Sequence, residues 1–204
     1  MCRASNPDWN ALEASFDLFL QCGKLEQDIY GADKGPKRAA DWLLGLDVEP
    51  RSPLVAPPSI EVFRKGAHLE KRLDVFQSML SNQRPSGETA VAQIYFHALS
   101  IYLSELLNDG VASHAGHLAA VLPALKIRSH REGVISLTKE ALEHRRISPV
   151  LLLVPFRMAG YRCMDLDLCR QMLDLVCEIE KSYAVAGTIR GELTYVWRGR
   201  GLDI

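Results

Sequence analysis

The sequence predicts an all-α protein, an irregular multi-helix bundle of about nine helices. Three observations predict it. Apolar residues recur three and four apart through most of the chain, the spacing of a buried helix face. No stretch alternates apolar and polar residues over five or more positions, as a half-buried strand would. The periodic stretches open on Asn, Ser or Asp and close on Gly or Asn-Asp-Gly, the residues that cap and stop helices.

Asn6, Pro7 and Asp8 form the first start signal, and Trp9, Leu12, Phe16 and Phe19 follow at helical spacing through Gln21. Gly23 is read as a break, with a short helix from Lys24 to Tyr30 after it. Gly31 to Gly35 is a loop, and Pro36 to Leu46 is a helix carrying Trp42, Leu43 and Leu46. From Asp47 to Pro58 four prolines (Pro50, Pro53, Pro57, Pro58) exclude a helix, so this is a linker. It divides an N-terminal helical segment, 1–46, from a larger helical region, 59–204.

Ser59 caps a helix striped by Val62, Phe63, Leu69, Leu73, Phe76 and Leu80. Glu88 to Leu107 is the next, stopped by Asn108, Asp109 and Gly110. A helix from His114 to Ile127 has Pro123 as a kink or end, and another runs from Glu132 to Arg145. Ser148 and Pro149 begin an apolar run in which Pro155 predicts a bend. The run Val150 to Val154 alone could be a buried strand, but the Ser-Pro start favours helix. Asp165 caps a long amphipathic helix, Ala184 to Gly187 turns the chain, and Thr188 to Arg198 closes it.

Composition narrows the function classes. The formal net charge is −1, so nothing global attracts nucleic acid or an anionic membrane. The longest apolar run, Val150 to Phe156, is far short of the roughly 20 residues of a membrane span. The five cysteines (Cys2, Cys22, Cys163, Cys169, Cys177) are odd in number with no Cys-x-x-Cys pair, which reads as reduced thiols in a cytoplasmic or nuclear protein.

Candidate chemistry is thin. His114 and His117 share a helix face and could offer two metal ligands, but no third ligand is at hand. Glu140, Glu143 and His144 miss the Glu-x-x-His spacing of di-iron helices and read as a solvated face. Asp165 and Asp167 point apart, one of them a cap. Gly31 to Lys37 is one residue too short for a phosphate loop and contains proline. Cys163, Cys169 and Cys177 sit among apolar residues that disfavour a thiolate. Arg198 to Gly201 reads as a solvated basic tail. No catalytic, cofactor-binding or metal-ligating residue is assigned.

Ser148 to Trp197 carries a resemblance. Pro149, the apolar run Leu151 to Phe156, Ala159-Gly160, the helix Leu166 to Glu180 and the closing Val196-Trp197 resemble the C-terminal part of the regulatory region of fungal Zn2Cys6 zinc-cluster transcription factors. The segment Ala92 to Leu103 (AQIYFHALSIYL) is similar to that family's mid-region helix. The likeness covers roughly the last 115 residues and consists of hydrophobic patterns. The family's six-cysteine DNA-binding module has no counterpart here, nor do its basic stretch and coiled coil. The resemblance implies a nuclear, pathway-specific regulator of transcription, for instance of a secondary-metabolite gene cluster. It would act through protein partners or self-association, without catalysis, membrane attachment or sequence-specific DNA binding of its own. The rival expectation is a helical small-molecule-binding protein or enzyme with an apolar pocket between helices, its polar groups converging around Tyr95, His97 and Tyr102.

Overall fold

The computed structural model describes residues 10–30, 60–112, 124–144 and 147–204. Among them are seven α-helices, one 3-10 turn and no strand. The all-α expectation holds; the count of nine does not. We number the helices α1 (Ala11–Tyr30), α2 (Ile60–Ser81), α3 (Gly87–Ala112), α4 (Ala124–His144), α5 (Leu153–Gly160), α6 (Leu166–Glu180) and α7 (Val185–Gly199), with the 3-10 turn at Pro149–Leu152. The expected Asn6 start, the Pro36 to Leu46 helix, the 47–58 linker, Ser59 and Pro123 lie outside the described residues.

The axis of the assembly is α3, about 39 Å long at 1.5 Å per residue. Ser86 and Thr89 start it by reciprocal capping: Ser86 N donates to Thr89 Oγ1 (2.7 Å) and Thr89 N to Ser86 Oγ (3.1 Å). The helix is apolar on nearly every side because every side is covered. Ala92, Ile94, Ala98, Leu99, Ile101 and Leu106 are fully buried. By length and composition Gly87–Asn108 could cross a bilayer, but most of it lies inside the protein. The helix also runs through Asn108, Asp109 and Gly110, which the sequence reads as a stop.

Two of its covers, α1 and α2, are built alike. In α1 the buried positions are Ala11, Ser15, Leu18, Cys22, Leu25 and Ile29; in α2 they are Val62, Gly66, Leu69, Leu73, Phe76 and Leu80. Both sets alternate steps of four and three, the seam of coiled-coil-like packing. The seam in α1 is not the predicted Leu12, Phe16, Phe19 stripe. Phe16 is exposed at its edge and meets Tyr95 edge-on at 5.4 Å, while Leu12 and Phe19 are half-buried. Small Ala11, Ser15 and Cys22 let the helices come close, and the seam continues through Gly23, so tertiary packing overrides that residue's weak helix propensity. Asn10 caps the described start of α1, its Oδ1 accepting from Leu12 N (2.9 Å) and Glu13 N (3.1 Å). The ion pairs Asp28–Lys65 (2.8 Å) and Asp17–Arg72 (3.0 Å) show that α1 and α2 run antiparallel.

On another side of α3 lies α4, with no loop between Ile127 and Glu132. That stretch is polar because its side chains bond outward. Arg128 bridges Glu132 (3.0 Å) and Asp165 (2.6 Å); Arg131 donates to Ala159 O (2.9 Å) and pairs with Glu105 (2.6 Å). Arg131 thereby ties α3, α4 and α5 together.

The closing set begins at Pro149 as a 3-10 turn and becomes α-helical at Leu153. Starting α5 there puts Pro155 in a first turn, where a missing N–H breaks no helical bond. Asp165 caps α6 as expected, accepting from Asp167 N (3.1 Å) and Leu168 N (3.2 Å). The turn into α7 comes earlier than predicted, at 181–184, and Gly187 is already helical. After α7, Gly201 at φ 83° reverses the chain, and Leu202 N donates to Trp197 O (3.0 Å). The basic tail is therefore held, with Arg200 donating to Tyr161 O (2.5 Å) and Arg198 to Ile204 O (2.8 Å). Buried residues of all seven helices form one continuous core.

Candidate functional site

Three polar constellations and one groove stand out. The first is the lock of the closing set. Trp197 is fully buried, and its indole N–H donates to Gly160 O at 2.8 Å. A Cβ on Gly160 would meet Leu193 at 3.0 Å and Trp197 at 3.2 Å, so only glycine lets α5 and α7 touch this closely. One turn away, Arg157 Nε donates to both carboxylate oxygens of Glu192 (2.7 Å each), and Nη2 adds a bond of 2.5 Å to Oε1. Both side chains are almost completely buried. Such a pair contributes little net stability, but removing one partner strands a charge in a buried site.

The second constellation is a histidine pair across α3 and α4. His97 Nδ1 and His130 Nδ1 are 2.9 Å apart, and Phe96 lies edge-on to both rings. Burial, then the neighbouring His130, pushes His97 down to about 4. His130 is lowered by burial and then by Lys126. In the neutral pair one Nδ1–H donates a hydrogen bond to the other, unprotonated Nδ1.

The third is Cys163 with Cys169, both buried between α5 and α6. Cys163 Sγ donates to Asp165 O and Cys169 Sγ to Cys163 O, at 3.7 Å each. The neighbouring Cys169 thiol, then the Arg131 guanidinium, hold Cys163 below the usual thiol range despite burial. Cys169 is raised by its Cys163 neighbour and by burial. Cys177 is exposed.

The groove lies between α1 and α2, on the face away from α3's seam. A cavity of about 720 Å³ is lined by residues including Lys24, Asp28, Arg64, Lys65 and His68. A second, of about 380 Å³, shares His68 and continues past Asp17, Lys71 and Arg72 to Val75 and Met79. The acids here are already matched: Asp28 and Glu61 with Lys65, Asp17 with Arg72. Gln21 and Arg72 hold the Asp17 carboxyl below the usual range. Lys24, Arg64, His68 and Lys71 make no hydrogen bond or ion pair among the described residues. After internal pairing the groove is therefore cationic, in a chain whose net charge is −1.

The candidates named from sequence are scattered. Tyr95 packs on Phe16, Tyr102 donates to Glu26 (2.5 Å) and His97 faces His130, so these three side chains meet separate partners. His144 Nδ1 lies 2.8 Å from Glu140 O, and both residues border a cavity of about 250 Å³ at the α3 N-terminus. His114 and His117 lie outside the described residues, as does Gly31 to Lys37. Among the described residues no three His, Cys, Asp or Glu side chains gather as metal ligands would. Sequence reading missed the groove, although Arg64, His68 and Lys71 recur at i, i+4 and i+7 on one face of α2.

No protein-family model, curated protein or solved structure matches the chain.

Proposed function

We propose that this chain is a regulator of transcription: a helical regulatory domain of the fungal zinc-cluster type without its DNA-binding module, working in the nucleus through protein contacts. A pathway-specific role, such as control of a secondary-metabolite gene cluster, belongs to the same proposal. The observation that carries it is the closing set. Two of the features on which the family resemblance rests meet there, the Ala159-Gly160 step receiving Trp197. The step and the terminal Trp lie 37 positions apart, yet each makes sense only with the other.

The mechanism in this reading is docking. The closing set fixes the scaffold, and the cationic groove of α1 and α2 is the surface left for a partner. Two experiments test it. Fused to an unrelated DNA-binding domain in a fungal reporter strain, the full chain should change reporter output several-fold. Alone, it should give no sequence-specific gel shift at physiological salt. A silent reporter with the fusion folded and nuclear, or specific DNA binding by the chain itself, would overturn the proposal.

A further inference from the structure

We propose that the groove between α1 and α2 docks an acidic amphipathic helix of about four turns, supplied by a partner protein. That the partner is a protein rests on the reading above; its shape and charge rest on the groove alone.

Shape comes first. The two cavities follow α1 from Ala14 to Asp28, about 21 Å of helix. That is the length of a helix of about 14 residues. Both walls are helices whose main-chain groups are bonded within the helix, so no sheet edge is offered and recognition must run through side chains. Two antiparallel helices present a straight furrow, the setting in which a further helix packs in a bundle.

Charge comes second. Arg64 and Lys71 on one wall make no hydrogen bond or ion pair among the described residues, and Lys24 on the other acts only at longer range, on Asp17; the three acids lining the furrow are paired, Asp28 and Glu61 sharing Lys65 and Asp17 with Arg72, which leaves the cations in excess by two. An incoming carboxylate meets cations that are in excess; an incoming cation meets acids that already share Lys65 and Arg72. Arg64 and Lys71 stand seven residues apart, two turns, so acids spaced by seven on the partner would reach both. Those matched acids also set phosphates at a disadvantage, because a polyanionic backbone would run past Asp17, Asp28 and Glu61.

Apolar contact comes third. Val75 and Met79 are 59% and 36% exposed at one end of the furrow, one turn apart on α2. They give an apolar stripe on the partner something to cover, and Met adapts to an uneven surface.

The test uses the full chain and a fluorescein-labelled synthetic peptide of about 16 residues with Leu on one helical face and Glu on the others. Polarisation should show saturable binding that weakens as salt rises. Arg64→Glu with Lys71→Glu should weaken it at least ~10-fold, and Met79→Glu alone should also weaken it. The charge-reversal variant should melt as the parent does, since both side chains are exposed and unbonded. Four results would overturn the proposal: no binding, unchanged affinity in the charge-reversal variant, equal affinity for a scrambled peptide of the same composition, or tighter binding of a single-stranded oligonucleotide of equal charge. A dimer of the parent that the charge reversal dissolves would also overturn it, by naming a second copy as the occupant. Peptide binding with a silent reporter would leave the groove's chemistry standing and remove the transcriptional reading; an active reporter without peptide binding would do the reverse.

Discussion

The α1–α2 pair and the closing set α5–α7 both bury apolar stripes against α3 and its neighbours, but they are held differently. In the closing set the specificity is inside. An indole N–H, a carbonyl and a bidentate Arg–Glu pair meet in buried sites. In the α1–α2 pair the inside is plain: two seams of Leu, Val, Ile, Phe and small residues at steps of four and three. Apart from the half-buried Glu26, which accepts from Tyr102 of α3, the charges named on it lie outside the seams, some matched and some not. A region whose polar groups are spent internally is a scaffold, and a region that leaves cations unmatched on a furrow is a surface for something else. That contrast predicts which substitutions cost stability and which cost binding.

The largest effect belongs to Trp197→Ala. It removes a fully buried indole, leaves a cavity and takes one of two donors from the Gly160 carbonyl, which keeps its bond from Cys163 N (2.9 Å), so unfolding in urea should show a loss of about 4 kcal/mol. Trp197→Phe refills most of the space without the donor and should cost about 1–2 kcal/mol. If Phe costs nothing, the lock is packing alone and the two regions are held by the same means.

Next is Glu192→Ala, which strips the buried Arg157 of its bidentate carboxylate and should cost about 3 kcal/mol. Replacing both residues at once, Arg157→Met with Glu192→Leu, should return the denaturation midpoint close to the parent's. A double variant no better than the single would mean that the pair contributes net stability.

Acid should act on the seam between α3 and α4, which lies between the two regions. His97 has its pKa near 4 in the folded chain, against 6.5 for a free imidazole. Between those values the unfolded chain binds a proton that the folded chain refuses. Stability is therefore full above pH 6.5, falls as pH drops through that window, and levels off near pH 4. The loss between pH 7 and 4.5 should be about 2 kcal/mol, and His97→Gln should flatten the curve. An unchanged slope in that variant would place the titration elsewhere.

What the sequence made legible follows from what a local pattern can encode. The all-α class and the Asp165 cap were readable because caps and apolar periods are local. The register of α1 was not. Phe16 and Phe19 dominate any hydrophobic count, yet the seam runs through Ala11, Ser15 and Cys22, whose virtue is small size beside a neighbour the sequence does not place. Gly23 and the polar stretch after Ile127 look like breaks for the same reason: what keeps them helical is packing and bonding to other helices. Arg157 and Glu192 are 35 positions apart and His97 and His130 are 33 apart, and no spacing rule links residues that far along a chain. The groove was half legible: the cations of α2 could be put on one face, but which of them α1 would neutralise depends on Asp17 and Asp28 arriving from the antiparallel neighbour.

The smallest effect on stability, and the sharpest test of the contrast, is Arg72→Ala. Arg72 bonds Gln21 and pairs with Asp17 across the α1–α2 boundary, with both charged side chains substantially exposed. Screened pairs of this kind contribute little, so unfolding should shift by less than about 1 kcal/mol. Binding should respond more. Without Arg72, Asp17 stands in the furrow as an unmatched negative charge, and affinity for the acidic peptide should fall by about threefold at low salt, recovering toward the parent value as salt rises. Asp17→Asn should move affinity the other way, because it releases Arg72 to the ligand. If Arg72→Ala instead costs more than about 2 kcal/mol and leaves peptide binding untouched, the outer charges are structural. The α1–α2 pair would then be a second scaffold, secured at its surface where the closing set is secured within.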